Sequence, residues 1–266
     1  MPWNPEVYNQ FKNIRYKPFF DLAGLIADEG LENCVDIGCG TGEQTKILSE
    51  RFEKANFLGI DSSPEMLEKR KDLEGKNLRF EIGTVEDFVN SPVGTKWDLI
   101  FSNAALQWSD DHKRLFAKLI LQLRDKGQLA IQMPVQTENV LNKLLLELVQ
   151  EKPFVDYLHG WKRESPVLSI DGYAQIMFEN GLTNLQIMQK VYPIIADDAQ
   201  KLFDFISGSA LIPYMERLSG NEQEHFVAEY KSRIQKGFKK FPAIYAFKRI
   251  LLYGRKIAKG ETDYLH

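Results

Sequence analysis

The chain is poor in cysteine, in histidine pairs and in long apolar runs, and each shortage removes a class of protein. Only Cys34 and Cys39 occur in 266 residues. Two thiols build neither a disulfide scaffold nor a four-cysteine metal site, and they suit a reducing compartment. The four histidines, His112, His159, His225 and His266, show no zinc-ligand spacing, so no metal is expected. No stretch approaches about 18 apolar residues. The opening Met1-Pro2-Trp3-Asn4-Pro5-Glu6 has neither a basic region nor an apolar run. A cytoplasmic protein without a membrane partner is the expectation. Net charge is also small, -3 from 34 basic and 37 acidic residues. That balance hides ten Lys or Arg and no acid between residues 231 and 259. Two readings stay open for this stretch: a surface that meets something anionic, or lysines that solvate a helix end and an edge strand.

What is present is a globular composition, 44% hydrophobic and 27% charged, with a clear alternation. Short apolar runs at 34–37, 56–60, 78–82, 98–102 and 128–133 predict strands, and helical patterns at 43–52 and 112–123 lie between them. Ser63-Pro64 predicts the start of another helix, a cap followed by proline at the first position. Beyond Pro134 the pattern changes to amphipathic helices at 137–150, 171–180, 198–207 and 221–236, with strand candidates at 185–192 and 247–257. The expected fold is α/β, a Rossmann-like doubly wound, mostly parallel seven-stranded sheet with a helical substrate-covering insertion. The expected divisions are an N-terminal helical arm over 1–30 and a cofactor-binding core over 31–134. A helical cap over 135–246 follows, with one sheet strand near 185–192, then a final strand and tail over 247–266.

The sharpest local signal is Val35-Asp36-Ile37-Gly38-Cys39-Gly40-Thr41-Gly42-Glu43, a strand running into alternate glycines and then a helix. Such glycines permit positive backbone dihedrals and close approach of a ligand to the main chain. A dinucleotide loop wants a further glycine where Glu43 stands, and that carboxylate would repel a pyrophosphate at the helix N-terminus. Asp61 ends the second apolar run, 19 residues after Gly42, where an acid accepts hydrogen bonds from vicinal ribose hydroxyls or caps the following helix.

This Asp-x-Gly-x-Gly-x-Gly form resembles the first motif of class I S-adenosylmethionine-dependent methyltransferases. The resemblance implies S-adenosyl-L-methionine as methyl donor. It places Asp36, Gly38, Gly40, Gly42, Asp61, Ser62, Met66, Thr84, Val85, Asn103 and Ala104 at the cofactor. Thr84 stands where the superfamily usually has an acid that reads adenine. Base-methylating and glutamine-methylating members carry two prolines where this chain has Ala104-Ala105, so no nucleic-acid partner is expected.

Narrower motifs are Trp3-Asn4-Pro5 with Tyr8, Phe11, Arg15 and Pro18; Asn103-Ala104 with Leu106-Gln107-Trp108; Asp111-His112; and Gln132-Met133-Pro134. With Pro213 and Glu222-Gln223 these make the chain similar to the trans-aconitate methyltransferase family over about residues 3 to 257. The resemblance implies a carboxyl O-methyltransferase forming a monomethyl ester on a small polycarboxylic acid. No catalytic base is expected, because a carboxylate is already ionised at neutral pH. It proposes Trp3, Tyr8, Arg15, Lys17, Gln107, Trp108 and Tyr214 for the anionic substrate. Ile212 replaces an arginine of the family and Tyr214 a tryptophan; if that arginine holds a substrate carboxylate in the relatives, two readings stay open, a different or less charged acid, or the use of Lys248 or another basic residue of the C-terminal stretch. The alternatives are a malonyl-acyl-carrier-protein O-methyltransferase, whose acidic carrier would dock on residues 231–259, and a non-catalytic S-adenosylmethionine-binding protein.

Overall fold

The computed structural model describes residues 12–68, 70–91 and 96–258, with side chains from Tyr16 onward except that of Lys71. A seven-stranded sheet has the order β3-β2-β1-β4-β5-β7-β6. Its strands are β1 (Asn33–Ile37), β2 (Asn56–Asp61), β3 (Leu78–Ile82), β4 (Trp97–Asn103), β5 (Leu123–Pro134), β6 (Leu182–Ala196) and β7 (Ala243–Lys256). The pairs from β3 through β5 are parallel, and β7 runs antiparallel to β5. The apolar runs became strands because β1 and β4 are buried along almost their whole length, as a sheet covered on both faces requires.

The chain divides into two compact units. The sheet unit takes Pro18–Pro134, Pro166–Lys190 and the chain from Arg249. It holds the helices α2 (Glu43–Arg51), α3 (Arg70–Leu73), α4 (Val85–Asn90), α5 (His112–Gln122) and α8 (Ile170–Glu179), with the second half of α1 (Lys12–Ala23). Phe19 of α1 meets Phe101 of β4 edge-on at 5.8 Å, and Phe116 of α5 meets Tyr173 of α8 at 4.8 Å.

The second unit takes Val135–Ser165 and Val191–Lys248 and carries α6 (Val140–Leu148), α7 (Phe154–Tyr157), α9 (Ala199–Ser207), α10 (Ile212–Met215) and α11 (Gly220–Gly237). Its own core joins Leu141, Leu145, Phe203, Phe226, Tyr230 and Tyr245, and the Tyr230 hydroxyl donates to the Leu141 carbonyl at 2.8 Å.

The division differs from the expected single cap over 135–246. Residues 166–190 belong with the sheet, because α8 packs on α5 through Tyr173, and β6 is longer than 185–192 and contributes to both units. The helix expected at Ser63-Pro64 is instead a turn closed by Leu67 N–H on the Ser63 carbonyl at 3.3 Å.

The basic stretch is divided rather than gathered into one patch. Arg233 grips Glu151 through two bonds of 3.0 and 2.6 Å and also bonds Glu229. The Lys256 ammonium caps the Ile120 and Leu123 carbonyls at the end of α5, and Arg249 is buried. Lys239 and Lys240 remain exposed. Among the described residues no helix is long and apolar enough to cross a membrane.

Asp98 ties the amino-terminal edge of the sheet together. Its Oδ2 accepts from the backbone N–H groups of Glu32 at 3.0 Å and Asn33 at 2.8 Å, and the carboxylate pairs with Arg124. Arg124 is 38% exposed and water can solvate it, so the loss falls on the two backbone N–H groups. Asp98→Ala is therefore expected to cost about 1–3 kcal/mol, read from the urea midpoint.

Candidate cofactor and acceptor site

The strand order reverses direction between β1 and β4, and at such a point a crevice opens outside the carboxyl ends of the strands. The glycine loop 38–42 leaves β1 there and enters α2. At Gly38 φ is +73°, and an added Cβ would lie 2.1 Å from the Ala105 Cβ. The loop after β4 therefore packs directly on the glycine loop. Gly40 has φ +57°, and a Cβ there would meet nothing within 4 Å. Its outer face is open to a ligand.

Asp61 holds that loop in place. One carboxylate oxygen accepts from Gly40 N–H at 2.8 Å and the other from Ser63 N–H at 2.9 Å. Each oxygen keeps a second lone pair, so the carboxylate is fixed yet able to accept from two hydroxyls. Beneath the loop lies Asp36, 2% exposed, accepting from the Thr45 hydroxyl at 2.6 Å. Burial pushes its pKa up to about 7; the Thr45 bond opposes the rise and the Asp61 charge adds to it. Asp36 thus supports the loop from below through α2 rather than lining the crevice.

Across the crevice, β4 ends in Asn103, whose Nδ2 donates to Gln44 Oε1 of α2 at 2.8 Å. Ala104 sits at φ +60°, a conformation that costs a non-glycine residue about 1–2 kcal/mol. It is held there from both sides: its N–H donates to the Gln132 carbonyl at 2.8 Å and its carbonyl accepts from Gln107 Nε2 at 2.7 Å. A proline at 104 would have neither that N–H nor that φ, so this geometry excludes proline.

The following 3-10 turn, Leu106–Trp108, is anchored by His112. Its Nε2 donates to the Leu106 carbonyl at 3.0 Å and its Nδ1 accepts from the Tyr173 hydroxyl at 2.5 Å. Burial pushes its pKa down. It is a neutral anchor with both nitrogens engaged.

The other expected site residues fall into three groups. Ser62 and the half-buried Met66 flank Asp61. Thr84 caps α4, donating to Asp87 at 2.6 Å and accepting from Asp87 N–H at 3.0 Å; its hydroxyl serves the helix, and Val85 follows at the first helical position. Gln107 is buried beside Ala104, Trp108 is 40% exposed, and Lys17 is exposed on α1.

Tyr214 is the remaining expected substrate contact with a described side chain. It is buried in the helical unit's core against Trp161 and Phe226, and its hydroxyl accepts from Arg163 N–H at 3.1 Å. Trp3, Tyr8 and the Arg15 side chain lie outside the described residues. Both cysteines are free and buried, and burial pushes the Cys34 thiol up to about 12.

A cavity of about 320 Å³ is lined by Ile82, Thr84, Asp87, Ser91, Trp97 and Gln122. Its lining also takes in Ile60 and Gly83 at the carboxyl ends of β2 and β3.

Sequence reasoning passed over a polar row on the sheet. Asn103 and Gln132 are register partners on β4 and β5, and Arg249 of β7 is the partner of Pro134, so all three share one face. Arg249 Nη1 donates to Gln132 Oε1. The available signal was a glutamine and an arginine interrupting otherwise apolar strands.

A methyltransferase-domain family profile matches residues 28–193. A trans-aconitate 2-methyltransferase of Deinococcus radiodurans is 40% identical, over 94% of this chain and 97% of that protein. One of Escherichia coli O1:K1 / APEC is 30% identical, over 96% of this chain and 98% of that protein. The chain belongs to the trans-aconitate 2-methyltransferase family.

As a member of that family it is an S-adenosylmethionine-dependent methyltransferase. The fold agrees: the YcgJ protein of Bacillus subtilis superposes with TM-score 0.59 at 18% identity, covering 91% of this chain and 99% of that one. Phosphoethanolamine N-methyltransferase 2 of Haemonchus contortus, solved with S-adenosyl-L-methionine, gives 0.54 at 16%, covering 91% and 52%.

Gly38→Ala is expected to destabilise the protein and weaken S-adenosylmethionine binding. Adding Ala105→Gly should recover the steric part while the positive-φ cost of about 1 kcal/mol remains, measured as a thermal double-mutant cycle. Asp36, whose folded pKa of about 7 exceeds the ordinary 3.8, makes stability fall as pH rises from about 4 to about 7. Asp36→Asn should remove that slope, so denaturation at pH 5 and pH 8 will show the wild type losing stability relative to the variant.

Proposed function

We propose that this protein transfers a methyl group from S-adenosylmethionine to one carboxylate of a small polycarboxylic acid, trans-aconitate, giving a monomethyl ester. The observation that carries this reading is near full-length similarity to trans-aconitate 2-methyltransferases, on a chain whose crevice has the groups the reaction needs. When bound, S-adenosylmethionine supplies a methyl on a sulfonium, which a carboxylate oxygen displaces in line, leaving S-adenosylhomocysteine and an ester with no proton moved.

The residues fit that donor. Gly40 offers an open main-chain face, and the fixed Asp61 carboxylate accepts from the ribose hydroxyls. The buried Asn103 Oδ1, which has no hydrogen-bond partner, accepts from the methionine ammonium. Ser62 and Met66 border the ribose and adenine. The adenine edge falls to the backbone at Val85, since the Thr84 hydroxyl is committed to its cap. The acceptor needs no base, because carboxyl groups ionise near pH 4. The protein's task is alignment and exclusion of water from the oxyanion. The protein works in the cytoplasm, where its two buried thiols stay reduced.

The test is incubation with methyl-labelled S-adenosylmethionine and a panel of carboxylic acids. A base-labile ester on trans-aconitate is expected, with a rate flat above the acceptor's last carboxyl ionisation. Asp61→Ala should weaken S-adenosylmethionine binding at least about tenfold in calorimetry, the loss of about 1.4 kcal/mol or more. Absence of ester on every acid would overturn the reading.

A further inference from the structure

The acceptor in this reading is an anion, and of the expected cations the Arg15 side chain lies outside the described residues. Lys17 is exposed, and Ile212 stands where the family has arginine. The sheet holds another cation. Arg249 of β7 is 7% exposed, and its Nη1 donates to the Gln132 carboxamide oxygen. Gln132 is 0% exposed, and its Nε2 has no acceptor. A buried amide N–H₂ without a partner costs about 1–3 kcal/mol, so a ligand that accepts from it recovers that free energy.

Three side chains of one face therefore divide by chemistry. Asn103 at the end of β4 leaves an oxygen, an acceptor suited to a cationic ligand. Gln132 on the neighbouring strand leaves an N–H₂, and Arg249 adds a guanidinium; both are donors suited to an anion. Register pairs them directly, Asn103 with Gln132, on strands about 4.8 Å apart. A cationic methyl donor and an anionic acceptor are thereby directed to adjacent positions.

Resting on the proposed carboxyl methylation, we infer that Arg249 and Gln132 grip a carboxylate of the acceptor, Arg249 as the charge and Gln132 as both the brace of its guanidinium and a second donor. The gripped carboxylate is distinct from the one methylated, whose oxygens must stay free to attack. The site thus selects acids with at least two carboxylates. Arg249 is a binding residue, and its planar fork suits this role better than an ammonium would.

Because removing a buried arginine puts the folding of the sheet at risk, the decisive variant is Gln132→Glu. It keeps the shape and gives Arg249 an internal carboxylate, so thermal stability is expected to hold or rise while the acceptor's anion is excluded. KM for trans-aconitate should rise at least about tenfold, with S-adenosylmethionine affinity within about twofold of wild type by calorimetry. Arg249→Lys should raise KM more than it lowers kcat, and it should reduce the preference for trans-aconitate over its diester, which retains a single carboxylate. Unchanged KM in both variants, on a wild type that forms the ester, would overturn this assignment alone. A wild type inert on every polycarboxylate would overturn the carboxyl-methylation reading and this assignment with it.

Discussion

The site depends on one hydrogen bond, from Gly40 N–H to the Asp61 carboxylate at 2.8 Å. It joins the loop after β1 to the end of β2, so the register of the parallel sheet sets the position of the glycine loop. The same carboxylate accepts from Ser63 N–H, which turns the chain away from the crevice. A carboxylate with two backbone donors is preorganised, and preorganisation is what a ligand site needs if binding is not to be spent on ordering the protein.

Two further constraints radiate from that loop. The close approach of Gly38 to Ala105 brings the β4 loop against it, and Ala104 then has to adopt a left-handed conformation held by Gln132 and Gln107. Strain of this kind persists only where surrounding bonds over-determine it. Behind the loop, neutral His112 links the Leu106 carbonyl to Tyr173, so a helix distant in sequence steadies the turn. The chemistry asks for little else. An ionised acceptor and a charged methyl donor annihilate their charges on reaction, and burial of the partners favours that outcome without a proton shuttle.

Much of this was legible in the sequence. The five parallel strands followed from apolar runs of strand length separated by helical patterns, because strands buried on both faces, as β1 and β4 are, have no other composition open to them. The glycine loop and Asp61 were legible because only glycine serves at positive φ beside a close neighbour, and because an acid some 20 residues on is a spacing set by one βαβ unit. The role of Thr84 was less so: the same Thr-x-x-Asp spacing writes a helix cap, and the cap is what formed. Tyr214 looked like a site residue by its place in the family pattern, yet its hydroxyl serves a backbone N–H within a core of its own unit.

By itself the sequence determined the strands, the glycine loop, the ribose-side acid and the family, since each is written in local periodicity or in a short motif whose geometry is local. Only the tertiary structure decided how the basic stretch is used. Ten Lys or Arg between residues 231 and 259 with no acid among them read as a surface, but the antiparallel seating of β7 against β5 turns Arg249 inward to Gln132, while Arg233 and Lys256 are spent on Glu151 and on the end of α5. Which face of a strand a side chain occupies is fixed by pairing with a segment more than a hundred residues away, and no local pattern carries that information.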